Sequence, residues 1–139
     1  MNGGLVRVGT TYIPVSSVEM ACSWYEQKLG GIVQYKDDDK AILNLANQSF
    51  FLVAAKESET ANFEDTKGKI RFSLTFEVDG LEALENLRFQ FMESGMLVGE
   101  IENRGHAGRN FVFFDLDGNK FDVWSELSTD FKEKYLVVD

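Results

Sequence analysis

Val15-Ser16-Ser17 recurs 63 residues later as Val78-Asp79-Gly80, and each copy stands between a strand pattern and a helical pattern that stops at a glycine, Gly30 or Gly95. A repeat of that period means one supersecondary unit built twice, so any fold for this chain must be made of two equivalent halves. The first half opens with alternation over Leu5 to Tyr12, a strand that Pro14 is expected to end because proline donates nothing to a ladder. Ser16 with Glu19 has capping-box spacing, Val18, Ala21, Cys22, Tyr25 and Leu29 form a helical stripe, and Gly30 suits a left-handed cap. Short strands are expected at Ile32 to Tyr35, Ala41 to Leu45 and Ser49 to Ala54, the last two separated by a tight turn at Asn47-Gln48.

From Ala55 to Lys69 the chain turns polar and loses its period, as a connection does. The second half then repeats the order. Ile70 to Val78 reads as a strand, Asp79 with Glu82 as a cap pair, and Leu81, Leu84, Leu87, Arg88 and Phe91 as a helical face. Met96 to Glu102, Asn110 to Asp115 and Lys120 to Trp124 read as strands, with Asp117-Gly118 as a two-residue hairpin turn. The fold class is α+β, with two tandem βαβββ modules: 5–54, a connection at 55–69, and 70–126. The tail, 127–139, is expected to hold a short helix from Ser128 or Thr129, with Phe131 and Tyr135 on one side, packed on the body or on a partner.

Composition narrows the function. Of 139 residues 14 are basic and 23 acidic, a net charge of −9, which disfavours nucleic-acid backbones and anionic membrane surfaces. No apolar run reaches the ~20 residues of a membrane span. One cysteine, Cys22, and no secretory leader pattern give a cytoplasmic expectation. Cys22 lies on the apolar helix face, where burial leaves a thiol inert. The tract Asp37-Asp38-Asp39 lacks the alternating ligands and distal Glu of an EF-hand and reads as a solvated turn. With no G-x-S-x-G elbow and no glycine-rich phosphate loop, hydrolase and nucleotide-dependent functions have no support. The one excess is aromatic, 12 Phe, 4 Tyr and 2 Trp, rings that must line a core or a cavity.

The paired βαβββ pattern, the helix ending Trp24-Tyr25-x-x-x-Leu29-Gly30 and the hairpin Phe114-Asp115-x-Asp117-Gly118-Asn119-x-Phe121-Asp122 resemble the glyoxalase I, bleomycin-resistance and extradiol-dioxygenase superfamily, the vicinal oxygen chelate proteins. The resemblance covers roughly residues 5 to 126. It implies that each module curls a mixed sheet into a half-barrel, that the halves enclose a cup, and that four strands offer metal ligands at its floor. Carried over one by one, those positions are Thr10, Ser73, Asp122 and Phe51. Two hydroxyls, a phenyl ring and one carboxylate do not make the set of about three imidazole or carboxylate ligands that a catalytic metal needs, and the single histidine excludes any two-His site. No metal and no other cofactor is therefore expected.

Alternation puts Thr10 with Tyr12, Phe51 with Val53, Ser73 with Thr75, and Asp122 with Trp124, giving a pocket of hydroxyls, aromatic walls and one carboxylate. One of Phe113 and Phe114, neighbours on opposite sides of their strand, joins it. His106 lies in the basic loop Arg104-Gly105-His106-Ala107-Gly108-Arg109, which either closes over the cup and meets an anionic group or is an exposed flexible connection. The expected function is a metal-independent small-molecule binding protein of the bleomycin-resistance type, sequestering an aromatic or cationic compound, with a homodimer implied by the resemblance. The alternative is a lyase or isomerase similar to glyoxalase I, or a dioxygenase-like member, with Asp122 as the base. A domain whose surface binds another protein is the third reading.

Overall fold

In the computed structural model, which describes residues 3–136, the chain divides between Thr60 and Ala61 into two units. The first holds β1 (Thr10–Val15), α1 (Val18–Leu29), β2 (Ile32–Lys36), β3 (Lys40–Leu45) and β4 (Gln48–Ala54), the order βαβββ. Its sheet runs β1-β4-β3-β2, with β1 parallel to β4 and the other pairs antiparallel. Ile13, Val15, Ala41, Leu43, Phe50 and Leu52 are buried on one face, with Val18, Ala21, Cys22 and Tyr25 of α1 completing the core. Burial raises the Cys22 thiol pKa.

Several local expectations shift. The opening strand begins at Thr10, whose partner in β4 is Ser49; Leu5 to Gly9 form no strand and are exposed. Pro14 lies inside β1 rather than ending it, which an edge strand tolerates. Ser17, not Ser16, caps α1, its hydroxyl accepting from Met20 N–H at 3.2 Å, while Gly30 takes the left-handed cap at φ 74°. The β3–β4 turn falls on Ala46 and Asn47, both at positive φ, one residue earlier than Asn47-Gln48. Asp37 organises the β2–β3 turn instead of merely facing water, accepting from the backbone of Asp39 and Lys40, from Lys40 Nζ and from Tyr35 OH.

The second unit starts inside the expected connection. β5 (Phe63–Glu64) and β6 (Ile70–Arg71) form a small antiparallel hairpin closed by Asp65, whose carboxylate accepts from Lys67 and Lys69 N–H. The strand expected over Ile70 to Val78 is therefore broken, and β7 (Thr75–Glu77) is its second piece. Then come α2 (Leu81–Glu93), β8 (Asn110–Phe114) and β9 (Lys120–Trp124). The sheet order is β7-β9-β8, with β7 parallel to β9, and residues 98–102 add bridges Val98 to Phe113 and Glu102 to Asn110 beside β8. That order is the one in the first unit, with the fourth strand reduced to bridges.

No side chain caps α2; its N-cap is Gly80, so the Asp79–Glu82 capping pair does not form. The β8–β9 turn has three residues, not two, between the bonded Asp115 and Asn119: Asp115 N–H donates to Asn119 O, and Gly118 at φ 85° donates to Asp115 O. That is a type I turn closed by a left-handed glycine. Asn119 is fully buried, donating to Asp115 and accepting from Ala61 N–H, while Asn62 bonds both Gly118 and Lys120. α3 (Thr129–Tyr135) stacks Phe131 and Tyr135 at 4.8 Å, with Phe131 half-buried and no residue of the helix fully buried. Ser128, at its start, donates to Glu77 through both its N–H and its hydroxyl. Of the expected tail, residues 137–139 lie outside the described ones.

Candidate functional site

Strand alternation gives the second sheet two chemically different faces. One carries Phe76, Phe111, Phe113, Phe121 and Val123, and Phe91 of α2 meets Phe111 and Phe113 at 6.1 and 5.0 Å between ring centroids. Phe113, expected as a candidate pocket wall, is 1% exposed in this cluster and is core. Register puts Thr75, Asn110, Val112, Phe114, Lys120, Asp122 and Trp124 on the other face.

Asp122 is at the centre of that face and is 2% exposed. Its Oδ1 accepts from Arg104 Nη2 at 3.0 Å, and its Oδ2 accepts from Asn110 Nδ2 at 2.9 Å and Thr75 Oγ1 at 3.0 Å. Arg104 in turn donates from Nε and Nη2 to both carboxylate oxygens of Glu102, each at 3.3 Å, and lies over the Phe72 ring at 5.7 Å. Partial burial opposes the charge on this guanidinium, yet the bonds to Glu102 and Asp122 outweigh it and raise its pKa. The hydroxyl that Asp122 holds is that of Thr75, and its charge is met by an arginine.

The basic loop is no flexible connection. Trp124 Nε1 donates to Ala107 O at 2.9 Å, Arg109 N–H donates to Ser125 Oγ, and Ser125 N–H to Arg109 O. Gly108 sits so close that a Cβ there would come within 2.7 Å of Ser125 Oγ and 2.8 Å of Trp124 Nε1. Residues 104–109 thus form a strap fastened along β9 at Asp122, Trp124 and Ser125. His106 is exposed, its ring edge-on to Trp124 at 6.0 Å and its Nδ1 2.8 Å from Ala107 O.

In the first unit Tyr12 pairs with Phe51, as Thr75 pairs with Asp122 in the second, so Phe51 and Asp122 hold corresponding places in the two sheets. Tyr12 is 63% exposed and its ring lies 4.9 Å from that of the half-buried Phe51. Thr10 is exposed at the start of β1. Ser73 is on no strand; it is exposed on the bend between β6 and β7. A divalent metal does not fit these side chains. Asp122 has both oxygens engaged, the other three positions offer two hydroxyls and a phenyl ring, and among the described residues no group of three or more His, Cys, Asp or Glu is arranged to hold an ion.

Arg104, Asn110 and Glu102 are the site residues that sequence reasoning missed. Asn110 was within reach, since alternation back from the Asp117-Gly118 hairpin places it on the Asp122 face. Arg104 and Glu102 lie outside regular strands, and no sequence period marks which way they turn.

The family model for the "Glyoxalase/Bleomycin resistance protein/Dioxygenase superfamily" matches residues 6–123. The chain belongs to that superfamily. Solved superfamily structures share its fold at low identity. The genomically encoded fosfomycin resistance protein FosX from Listeria monocytogenes superposes with a TM-score of 0.72 at 12% identity, over 91% of this chain and 97% of that one. A glyoxylase/bleomycin resistance protein/dioxygenase domain from a Frankia species gives 0.69 at 18%, over 89% and 100%. Lactoylglutathione lyase from Agrobacterium tumefaciens gives 0.68 at 13%, over 87% and 94%. No curated protein matches the sequence by direct comparison. Among the described residues no helix is long and apolar enough to cross a membrane.

Proposed function

We propose that this superfamily member is a small-molecule binding protein that works without a catalytic metal ion and takes up an aromatic compound. The observation that carries the reading is Asp122: three donors from Arg104, Asn110 and Thr75 occupy the one carboxylate that the superfamily pattern leaves in place. A metal would have to displace a guanidinium to reach it. A lyase or isomerase using Asp122 as base would have to break the same contact before accepting a proton. The aromatic part of the expectation is supported by Phe72, Phe114 and Trp124 on or beside the open face. The cationic part is not carried forward, because Arg104 already neutralises Asp122.

The test is a thermal-shift and tryptophan-fluorescence screen of aromatic compounds on tag-free protein, run with a chelator and again with added Mn, Fe, Co, Ni or Zn. Stabilisation that survives chelation is the expected result; binding that appears only with metal overturns the reading. A homodimer and a cytoplasmic setting go with it, and sedimentation equilibrium should return the mass of two 15.7 kDa chains.

A further inference from the structure

Four cations and one carboxylate line a groove of about 450 Å³ in the second unit: Lys69, Arg71, Arg104 and Lys120 with Glu102, around the apolar Ile70, Phe72 and Val112. In a chain of net charge −9 such a cluster runs against the overall composition. The volume is in the ~300–1,000 Å³ range of small-molecule sites. Resting on the binding function proposed above, we infer that this groove takes a small organic anion, an acidic head group on an aromatic or aliphatic body, with Lys69, Arg71 and Lys120 supplying the positive charge and Arg104 a fixed pair of N–H donors.

Arg104 is placed for that role by its bonds. Glu102 and Asp122 hold Nε and Nη2, and the Phe72 ring supports the guanidinium plane, so the side chain is fixed before any ligand arrives. Its printed bonds all run from Nε and Nη2, so Nη1 has no hydrogen-bond partner among the described residues and offers two N–H donors in a known orientation. Lys69 makes no side-chain ion pair among the described residues, Arg71 has a long 3.7 Å ion pair with Asp65 and lies over the Phe72 ring at 5.7 Å, and Lys120 Nζ donates to Ile70 O at the rim. An anionic oxygen would gain charge-assisted bonds from these groups at little ordering cost.

Isothermal titration of the full chain with benzoate, phenyl phosphate, benzyl alcohol, benzylamine and inorganic phosphate tests the inference. Benzoate or phenyl phosphate should bind at least about tenfold tighter than the neutral and cationic analogues and than inorganic phosphate, with affinity falling as salt is added. Arg71→Gln with Lys120→Gln should weaken that binding about tenfold or more, and Lys132→Gln on α3 should not. Benzyl alcohol or benzylamine binding as well as the acids, or acids indifferent to the double substitution, would overturn the anion assignment and leave the binding function standing. No binding by any aromatic probe here together with an empty aromatic screen above would overturn both. Inorganic phosphate matching phenyl phosphate would reduce the groove to an ion site and overturn the organic ligand.

Discussion

Arg104 and Asp122 show how much one pair can decide. Asp122 is buried and charged, a state that costs several kcal/mol unless the charge is paired and hydrogen-bonded, and here it is both. Arg104→Met removes the pair's positive member and leaves the carboxylate uncompensated, so urea unfolding should show a loss of about 3–5 kcal/mol. Adding Asp122→Asn keeps an acceptor for Asn110 and Thr75 while removing the charge, and the double variant should recover at least half of that loss. Equal stability of the single and double variants would mean that Asp122 is not charged in the folded chain. Asp37 gives a pH-dependent counterpart. Hydrogen bonds from Tyr35 and Lys40, and from the backbone of Asp39 and Lys40, hold its pKa well below the ordinary carboxylate range. Its contribution to the β2–β3 hairpin is therefore complete above about pH 4. It fades only as the pH falls through the depressed value. NMR titration of the Asp37 carboxyl carbon should show no inflection near pH 4, and Asp37→Asn should remove the acid-side change in hairpin chemical shifts. Which residue carried the chemistry was readable in part. Asp122 came from the pattern, but its arginine did not, because a strap residue is placed by the strand it crosses rather than by its neighbours in sequence.

At the scale of elements, the strap at 104–109 separates two glycines that the sequence makes look alike. Gly105 and Gly108 both have positive φ, at 89° and 77°, yet nothing lies within 4 Å of a Cβ at Gly105, whereas at Gly108 it would collide with Ser125, Glu126 and Trp124. Gly105→Ala should therefore cost only the left-handed penalty of about 1–2 kcal/mol. Gly108→Ala adds a clash and should lift the strap, costing more and shifting Trp124 emission, since its indole N–H loses Ala107 O. Matching emission spectra for the two variants would show that the strap is not fastened there. The elements themselves were largely legible, because α1, β3, β4 and α2 bury one face, and β8 and β9 carry Phe111, Phe113, Phe121 and Val123 on one side, and period reveals a face. What failed were places where local chemistry competed with period. Ser16 and Ser17 both suit a cap, and one residue of backbone geometry chooses between them. Met96 to Glu102 alternates like a strand, but it makes only two bridges to β8. Gly99 there lies against Val112, leaving 2.9 Å between that valine's methyl and any Cβ, and Arg88 of α2 takes the Gly99 carbonyl at 2.7 Å.

For the whole molecule, the superfamily pattern and the ligand set point in different directions, and metal content distinguishes them. Elemental mass spectrometry on tag-free protein re-equilibrated with divalent metals should find far less than one ion per chain, and added metal should leave Tm unchanged; a stoichiometric ion would mean that side chains other than Thr10, Phe51, Ser73 and Asp122 converge on it. The duplication was plain from the 63-residue repeat, whereas the place where the units part, after Thr60, was hidden in the polar connection. That placement has a consequence for how the chain is made. All the strands of the first sheet have been synthesised by Ala54, so it lacks no partner by the time Thr60 follows. Ala61 and Asn62 come next, but the groups they bond, on Gly118, Asn119 and Lys120, are encoded 56 to 58 residues downstream. At about 5–20 residues per second those two residues wait roughly 3–12 s for their partners. A ribosome paused late in that interval, just after Phe114, carries a nascent chain whose first sheet has every strand, while β7 and β8 still lack β9, the strand both of them pair with.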